Sequence, residues 1–216
     1  MATLERAPAC SMGLRERKKQ RTRETIVRVA MDLFAERGFE GTTIHDIAAS
    51  AEIAPRTFFG YFRSKEAVVF HDFDAAFVAF SARLHARPAG ETAFVAMRAW
   101  LLDWIAERED VLEAEDLARR RLVAATPTLE AHERANLARF EAVLAQAVAE
   151  DLDAPADSLR PHLVAAAAVA ALDALGRHSE EDARKPAGEE AVAVLDEALA
   201  FLQGGLDALR RRPVAQ

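Results

Sequence analysis

Four aromatic side chains fall within five residues, at Phe58, Phe59, Tyr61 and Phe62, in a chain that is only 7% aromatic. They follow Pro55-Arg56-Thr57 and precede Arg63-Ser64-Lys65. A buried strand would favour such rings, but Pro55, Gly60 and the flanking cations argue against one. Pro55 suits the first position of a helix, and the spacing predicts one running to about Phe62. Isolated helices shorter than about 12–15 residues are marginal in water, so this one must be anchored by tertiary packing. Phe58 and Phe62, four residues apart, can provide that anchor. Phe59 and Tyr61 then point elsewhere, together with Arg56 and Thr57.

The residues before this segment supply something to anchor on. From Thr22 the apolar positions Ile26, Val29, Ala30, Leu33 and Phe34 repeat with a helical period, and Glu36-Arg37-Gly38 ends that helix with glycine as a cap. Thr43-Ile44-His45-Asp46 sets a hydroxyl three residues before a carboxylate, a short capping box opening a second helix with Ile44, Ile47 and Ala48 turned inward. Ala51-Glu52-Ile53 makes a tight turn into the aromatic segment. Ser64 is placed to cap a long helix from Lys65 to about His85. Two short helices joined by a three- or four-residue turn form a helix-turn-helix, whose second helix enters the DNA major groove.

Charge is distributed to match. Net charge is −7, with 28 Lys and Arg against 35 Asp and Glu. Residues 1–70 nevertheless carry 12 basic and 9 acidic residues, and the excess gathers at Arg15, Arg17, Lys18, Lys19, Arg21 and Arg23. Such asymmetry points to a polyanion at one end of the chain. No apolar run reaches the roughly 18–20 residues of a membrane span. The N-terminus lacks the apolar core of a signal peptide. The single cysteine, Cys10, excludes a disulfide framework and a cysteine-built zinc site. The expected setting is cytoplasmic, with no membrane partner.

Taken together, LFAERGFEGTTIHDIA, the turn, TFFGYF and the closing SKE resemble the DNA-binding domain of the tetracycline-repressor (TetR) family over about residues 17–70. The resemblance implies an all-α homodimer. Its N-terminal three-helix domain reads a palindromic operator, and its C-terminal helical domain dimerises and binds a small molecule. Repression rather than activation is also what the resemblance implies. Four positions bear on the DNA contacts. Glu52 stands where the family usually has glycine, Ala54 where serine commonly caps the recognition helix, and Phe59 where a phosphate-binding tyrosine is frequent. Tyr61 keeps the usual histidine or tyrosine. The expected DNA-contacting residues are Arg15, Lys18, Lys19, Arg21, Thr43, Arg56, Thr57, Phe59, Tyr61 and Lys65. Arg56 is expected to read a base edge, and Tyr61 and Lys65 to hold phosphate.

The domain scheme is a disordered leader over 1–14, the DNA-binding domain over 15–65 with its motif at about 43–62, and a helical domain over 66–216. In the acidic remainder every segment has helical spacing, with no strand signal. The alanine-rich run Leu163–Leu172 and the leucine stripe of the last helix suggest a four-helix dimer interface. The candidates are Ala165, Val169, Leu172, Leu195, Leu199, Leu202, Gly204, Gly205 and Leu206. The Gly204-Gly205 pair costs helix stability and calls for a compensating close approach. Pockets are mostly apolar with a few fixed polar groups, so Phe77, Phe94, Met97, Trp100, Leu101 and Trp104, with Arg120 and His162, are the candidate cavity wall for a largely apolar effector.

No catalytic constellation stands out, and neither a phosphate-binding loop nor a GxSxG elbow is present. No cofactor, catalytic residue or metal is expected. His71 and Asp74 share a helical face and raise a metal-dependent helical enzyme as one alternative, although a metal site needs three or four ligands. A ligand-independent architectural DNA binder is the other.

Overall fold

The structure, a computed structural model, describes residues 13–106, 112–181 and 189–210. Most of the predicted leader, residues 1–12, lies outside them. The chain divides into two compact units, Met1–His71 and Asp72–Gln216, six residues beyond the predicted boundary at 65.

The first unit is built on α1 (Leu14–Arg37), which begins eight residues earlier than the period predicts and takes the basic segment with it. Ile26, Val29, Ala30, Leu33 and Phe34 form its buried face. It ends at Gly38, whose φ of 75° is easy only for glycine. Gly41 is equally constrained, because a Cβ there would stand 2.4 Å from the Arg37 carbonyl oxygen. In α2 (Ile44–Ser50) the capping box is complete. Thr43 Oγ1 accepts from the Asp46 amide at 3.1 Å, while Asp46 Oδ2 accepts from the Thr43 amide at 2.9 Å and from its hydroxyl at 2.5 Å. These bonds, the side-chain one foremost, hold the Asp46 carboxyl below its ordinary pKa.

Two expectations are corrected here. α3 (Pro55–Phe58) is a single turn. Its continuation tightens to three-residue bonds, Gly60 N to Thr57 O at 3.0 Å and Tyr61 N to Phe58 O at 2.9 Å. The expected long helix from Lys65 is also broken, into α4 (Glu66–Val69) and α5 (Phe73–His85). Phe70, with ψ of 34°, leaves the helical ladder. The carbonyls this frees find side-chain partners. The Nδ1 of His71 lies 3.2 Å from the Val68 oxygen, and Arg23 Nη2 donates to the His71 oxygen at 2.6 Å.

The second unit comprises α5, α6 (Ala93–Ala106), α7 (Leu112–Ala124), α8 (Pro127–Asp151), α9 (Leu159–Glu181) and α10 (Glu189–Arg210). α8 is its axis, packing on α5, α6, α7 and α9. The core joins Phe80, Leu84, Phe94, Met97, Leu144, Val148, Ala165, Ala168, Leu195, Leu199 and Leu206. Polar clasps fix the register of these helices. Asp151 Oδ2 accepts from the Ala93 amide at 2.7 Å, at the start of α6. Arg98 grips both oxygens of Asp196 at 2.5 and 2.7 Å, tying α6 to α10 and lowering the Asp196 pKa through that hydrogen-bonded pairing. Thr92, just before α6, donates to Gln203 of α10 at 2.9 Å.

Candidate functional site

The aromatic segment divides as its spacing predicts. Phe58 and Phe62 are buried, with ring centroids 5.9 Å apart. Phe59 is 57% exposed and meets Phe58 edge-on. Arg56 and Thr57 are exposed and Tyr61 is half-buried. One short turn therefore carries its roots and its free side chains at alternating positions. Two of its features carry a structural cost. Ala54 gives no side-chain cap, and Glu52 sits at φ 54°, where an L-residue other than glycine loses roughly 1–2 kcal/mol.

Arg15, Lys18, Lys19 and Arg21 are all exposed on the first turns of α1, within about half of the helix circumference. The basic segment is thus a helical ridge rather than a tail. Arg23, part of the same charge run, turns inward. Its guanidinium lies 4.6 Å from the Phe62 ring centroid while it holds the His71 carbonyl. The sequence counted its charge but gave no sign of this clamp.

Lys65 requires a correction. Its ammonium donates to the Phe39 oxygen at 2.8 Å and the Thr42 oxygen at 3.4 Å, and stands 4.1 Å from the Phe39 ring centroid. With Glu40 at 3.7 Å as well, it closes the turn between α1 and α2 instead of standing clear as a phosphate donor. Thr42, which sequence reasoning passed over, reinforces the same turn from the buried side through the Gly38 oxygen at 2.9 Å.

In the second unit the expected cavity wall is largely core. Phe94 and Met97 are fully buried in the main cluster. Phe77 is half-buried and packs edge-on to Phe140 beneath the Arg139 guanidinium. Leu101 packs against the core, and Arg120 is half-buried on α7. His162 is exposed near the start of α9, its Nδ1 3.0 Å from the Ser158 oxygen, and so faces no interior ligand. Of the expected set, Trp100 and Trp104 line a cavity of about 210 Å³, shared with Ala79, Arg83 and Asp103. A larger cavity of about 390 Å³ lies beside Arg87, Pro88 and Gln146. Its principal cation, Arg87, is already engaged by the Leu84 and Ala147 oxygens and by Glu150.

The expected dimer contacts are corrected in the same way. Ala165, Leu195, Leu199 and Leu206 are buried in their own subunit, and Val169, Leu172 and Leu202 pack against that core. The opposite face of the same helices is the exposed one. On α9 it shows Leu159, Leu163, Ala167, Ala170 and Ala174, and on α10 Val194, Phe201, Gly204, Gly205 and Ala208. Phe201 is 82% exposed, and a Cβ added at either glycine meets nothing within 4 Å.

The metal alternative loses its geometry. Asp74 accepts from Arg139 at 2.9 Å, the His71 ring faces a carbonyl, and among the described residues no three potential ligands gather.

Comparison with known proteins decides the family. The pattern of bacterial regulatory proteins of the tetR family matches residues 26–71, and that of the MftR C-terminal domain matches residues 91–207. The HTH-type transcriptional regulator TcmR of Streptomyces glaucescens is 38% identical over 94% of this chain and 92% of its own. This chain belongs to the tetR family. MftR of Mycobacterium tuberculosis is 31% identical over 69% of this chain and 75% of its own. The fold also matches the SmeT–triclosan complex, with a TM-score of 0.59 at 18% identity over 91% of this chain and all of that one. Members of the tetR family are DNA-binding transcription factors, not enzymes. In this tetR-family regulator the matched N-terminal residues span the capping box, the turn and the aromatic segment. No helix among the described residues is long and apolar enough to cross a membrane.

Proposed function

We propose that this regulator is a small-molecule-responsive repressor that binds a palindromic operator as a homodimer. The observation that carries the reading is the division of α3, with Phe58 rooted in the core and Arg56, Thr57 and Phe59 free beside it. Arg56 is the long donor of that exposed set and reads a guanine edge through two parallel hydrogen bonds. Arg15, Lys18, Lys19 and Arg21 neutralise phosphates along the ridge of α1. The Tyr61 hydroxyl and the Thr43 end of α2 add phosphate contacts on the other side, and Phe59 lies against the backbone without donating. Lys65 acts as a positioning residue that holds the α1–α2 turn. Phosphate contacts of this kind set register and orientation, while base edges set sequence preference.

The outward stripe of α9 and α10 is the dimer surface. Two-fold symmetry makes such a surface self-complementary and pairs the readers with half-sites about 34–36 Å apart, or a multiple of that. SmeT is described in complex with triclosan, a small organic ligand, and the tryptophan-lined cavity is the corresponding candidate here. An effector that prefers the low-affinity state by about 1.4 kcal/mol shifts DNA binding only tenfold, so effective switching needs a larger preference. The route from effector to DNA runs along the chain through the interrupted segment between α4 and α5.

Selection of bound DNA from a random pool, followed by a screen for compounds that release the enriched sequence, tests this reading. The expected result is an inverted repeat released by at least one small organic compound. Enrichment of no sequence would contradict operator recognition and favour the architectural alternative. Enrichment without release by any compound would contradict the small-molecule response.

A further inference from the structure

The guanidinium of Arg23 sits where three elements of the first unit meet. It is carried by α1 and lies 4.6 Å from the centroid of the Phe62 ring. Its Nη2 donates to the His71 oxygen at 2.6 Å, one residue beyond the Phe70 cap of α4. Phe62 begins a row of rings. Its centroid is 5.9 Å from that of Phe58, which meets the exposed ring of Phe59 edge-on at 5.7 Å. One side chain thus ties α1 to the buried roots of the aromatic segment and to the end of α4.

The aromatic segment has few other means of keeping its orientation. α3 is a single turn without a side-chain cap, and it follows the backbone of Glu52 at φ 54°. A helix this short has little stability of its own. The direction in which Arg56 and Thr57 point therefore depends on what fixes Phe58 and Phe62. A recognition surface must hold its groups to within roughly 0.5 Å and 10–20°, a task that falls to the side chains behind it.

Arg23 is not placed as a phosphate ligand. Unlike the exposed Arg15, Lys18, Lys19 and Arg21, it is half-buried, and to reach DNA it would give up both the His71 oxygen and the Phe62 ring. A guanidinium suits both partners at once, stacking on a ring while donating at its edge, whereas a lysine ammonium is a point charge.

We propose that Arg23 is a positioning residue for DNA reading. It holds the Phe58–Phe62 root of α3 against α1 and the end of α4, and so supports affinity for the operator over other DNA without touching DNA itself. The proposal rests on the reading of α3 as the element that reads sequence.

The test compares the natural chain with Arg23→Lys, Arg23→Gln and Arg56→Ala, each kept well below its melting temperature. Two duplexes of equal length are titrated over a range of salt, the sequence that the natural chain enriches from a random pool and a scrambled version of it. Both Arg23 variants should bind the enriched duplex roughly three- to tenfold more weakly, the range of one hydrogen bond. They should bind the scrambled duplex as the natural chain does, with an unchanged salt slope. A loss on both duplexes alike in Arg23→Gln, with a slope lower by about 0.9 and recovery in Arg23→Lys, would overturn the proposal by making Arg23 a phosphate contact. Full affinity for the enriched duplex in both variants would overturn it by leaving Arg23 a role in stability alone. Phe62→Leu removes the ring but keeps an apolar side chain in the core, and it carries the test should an Arg23 variant fail to fold. It should weaken binding to the enriched duplex alone, and combined with Arg23→Lys it should lose less than the product of the two separate losses, as linked residues do. Losses that multiply in full would also overturn the proposal. Arg56→Ala keeps the two readings apart. Preference lost in Arg56→Ala but kept in both Arg23 variants defeats this inference alone, whereas no enrichment by the natural chain defeats the DNA reading and this inference with it.

Discussion

The two units present opposite chemistry to their surroundings. In the first, apolar side chains close inward and the exposed positions of α1 and α3 hold Arg15, Lys18, Lys19, Arg21, Arg56 and Thr57. In the second, the polar side chains Arg98, Asp196, Asp151 and Thr92 knit helices to one another, while α9 and α10 leave Leu163 and Phe201 in the open. A surface made for phosphate must keep its cations solvated and free until DNA arrives. A surface made for a second copy of the same chain gains by burying carbon, and contiguous exposed apolar side chains mark such an interaction face. Adjacent residues make the contrast at the smallest scale. Phe58 has no exposed surface and Phe59 is more than half exposed, so identical side chains one position apart divide between the core and the open surface.

That contrast can be broken most forcefully at Phe58. Phe58→Ala should cost about 3–5 kcal/mol of stability, as truncation of a buried ring does. Phe59→Ala should stay within about 0.5 kcal/mol, as surface changes do. Melting curves that moved equally for the two would erase the division on which the proposed DNA-contacting surface rests. The second unit offers a matching pair. Leu199→Ala should cost about 2–5 kcal/mol and leave the dimer intact. Leucine at both Gly204 and Gly205 should give monomers by light scattering with no loss of subunit stability, because helix propensity improves by nearly 1 kcal/mol per site and the subunit itself leaves the space open. A dimer that persists in the double variant would move the interface elsewhere.

Smaller effects refine the DNA side. Tyr61→Phe should weaken operator binding by about 0.5–1.5 kcal/mol, the net worth of one hydrogen bond, and Phe59→Tyr should strengthen it similarly. Neither should change the preferred sequence, and titrations on one operator with matched melting curves would show it. Least of all, Glu52→Gly should stabilise the fold by about 0.5–1 kcal/mol. Relief of the left-handed backbone is partly offset by the greater freedom of glycine in the unfolded chain. An unchanged melting temperature would mean that Glu52 gains compensating contacts.

Most of the first unit was legible because its signals are local. The apolar period of α1, the glycine at its end, the Thr43–Asp46 capping box and the spacing of Phe58 and Phe62 each depend on residues within a turn or two of one another. What escaped depends on residues distant in sequence. Lys65 reads as an exposed cation until its ammonium meets carbonyls 23 and 26 residues earlier. Arg23 reads as part of a basic run until it reaches His71, 48 residues on, where the expected long helix breaks. In the second unit periodicity found the helices but not which apolar face turns inward. Both sides of α9 and α10 are rich in alanine and large aliphatics, so a stripe of leucines reads equally well as core or as interface. Burial resolves it in favour of core for Leu195, Leu199 and Leu206. The same ambiguity placed Phe94 and Met97 on a cavity wall.

The central claim is that α3 reads DNA through Arg56 while its buried rings hold it in place. Selection from a random DNA pool, run in parallel on the natural chain and on Arg56→Ala, tests it most directly. The expected result is an inverted repeat for the natural chain, and for the variant the same repeat with preference lost at one position in each half-site and affinity lower by about 1–3 kcal/mol. Unchanged preference at every position, with affinity alone reduced, would contradict the claim by assigning Arg56 to the phosphate backbone.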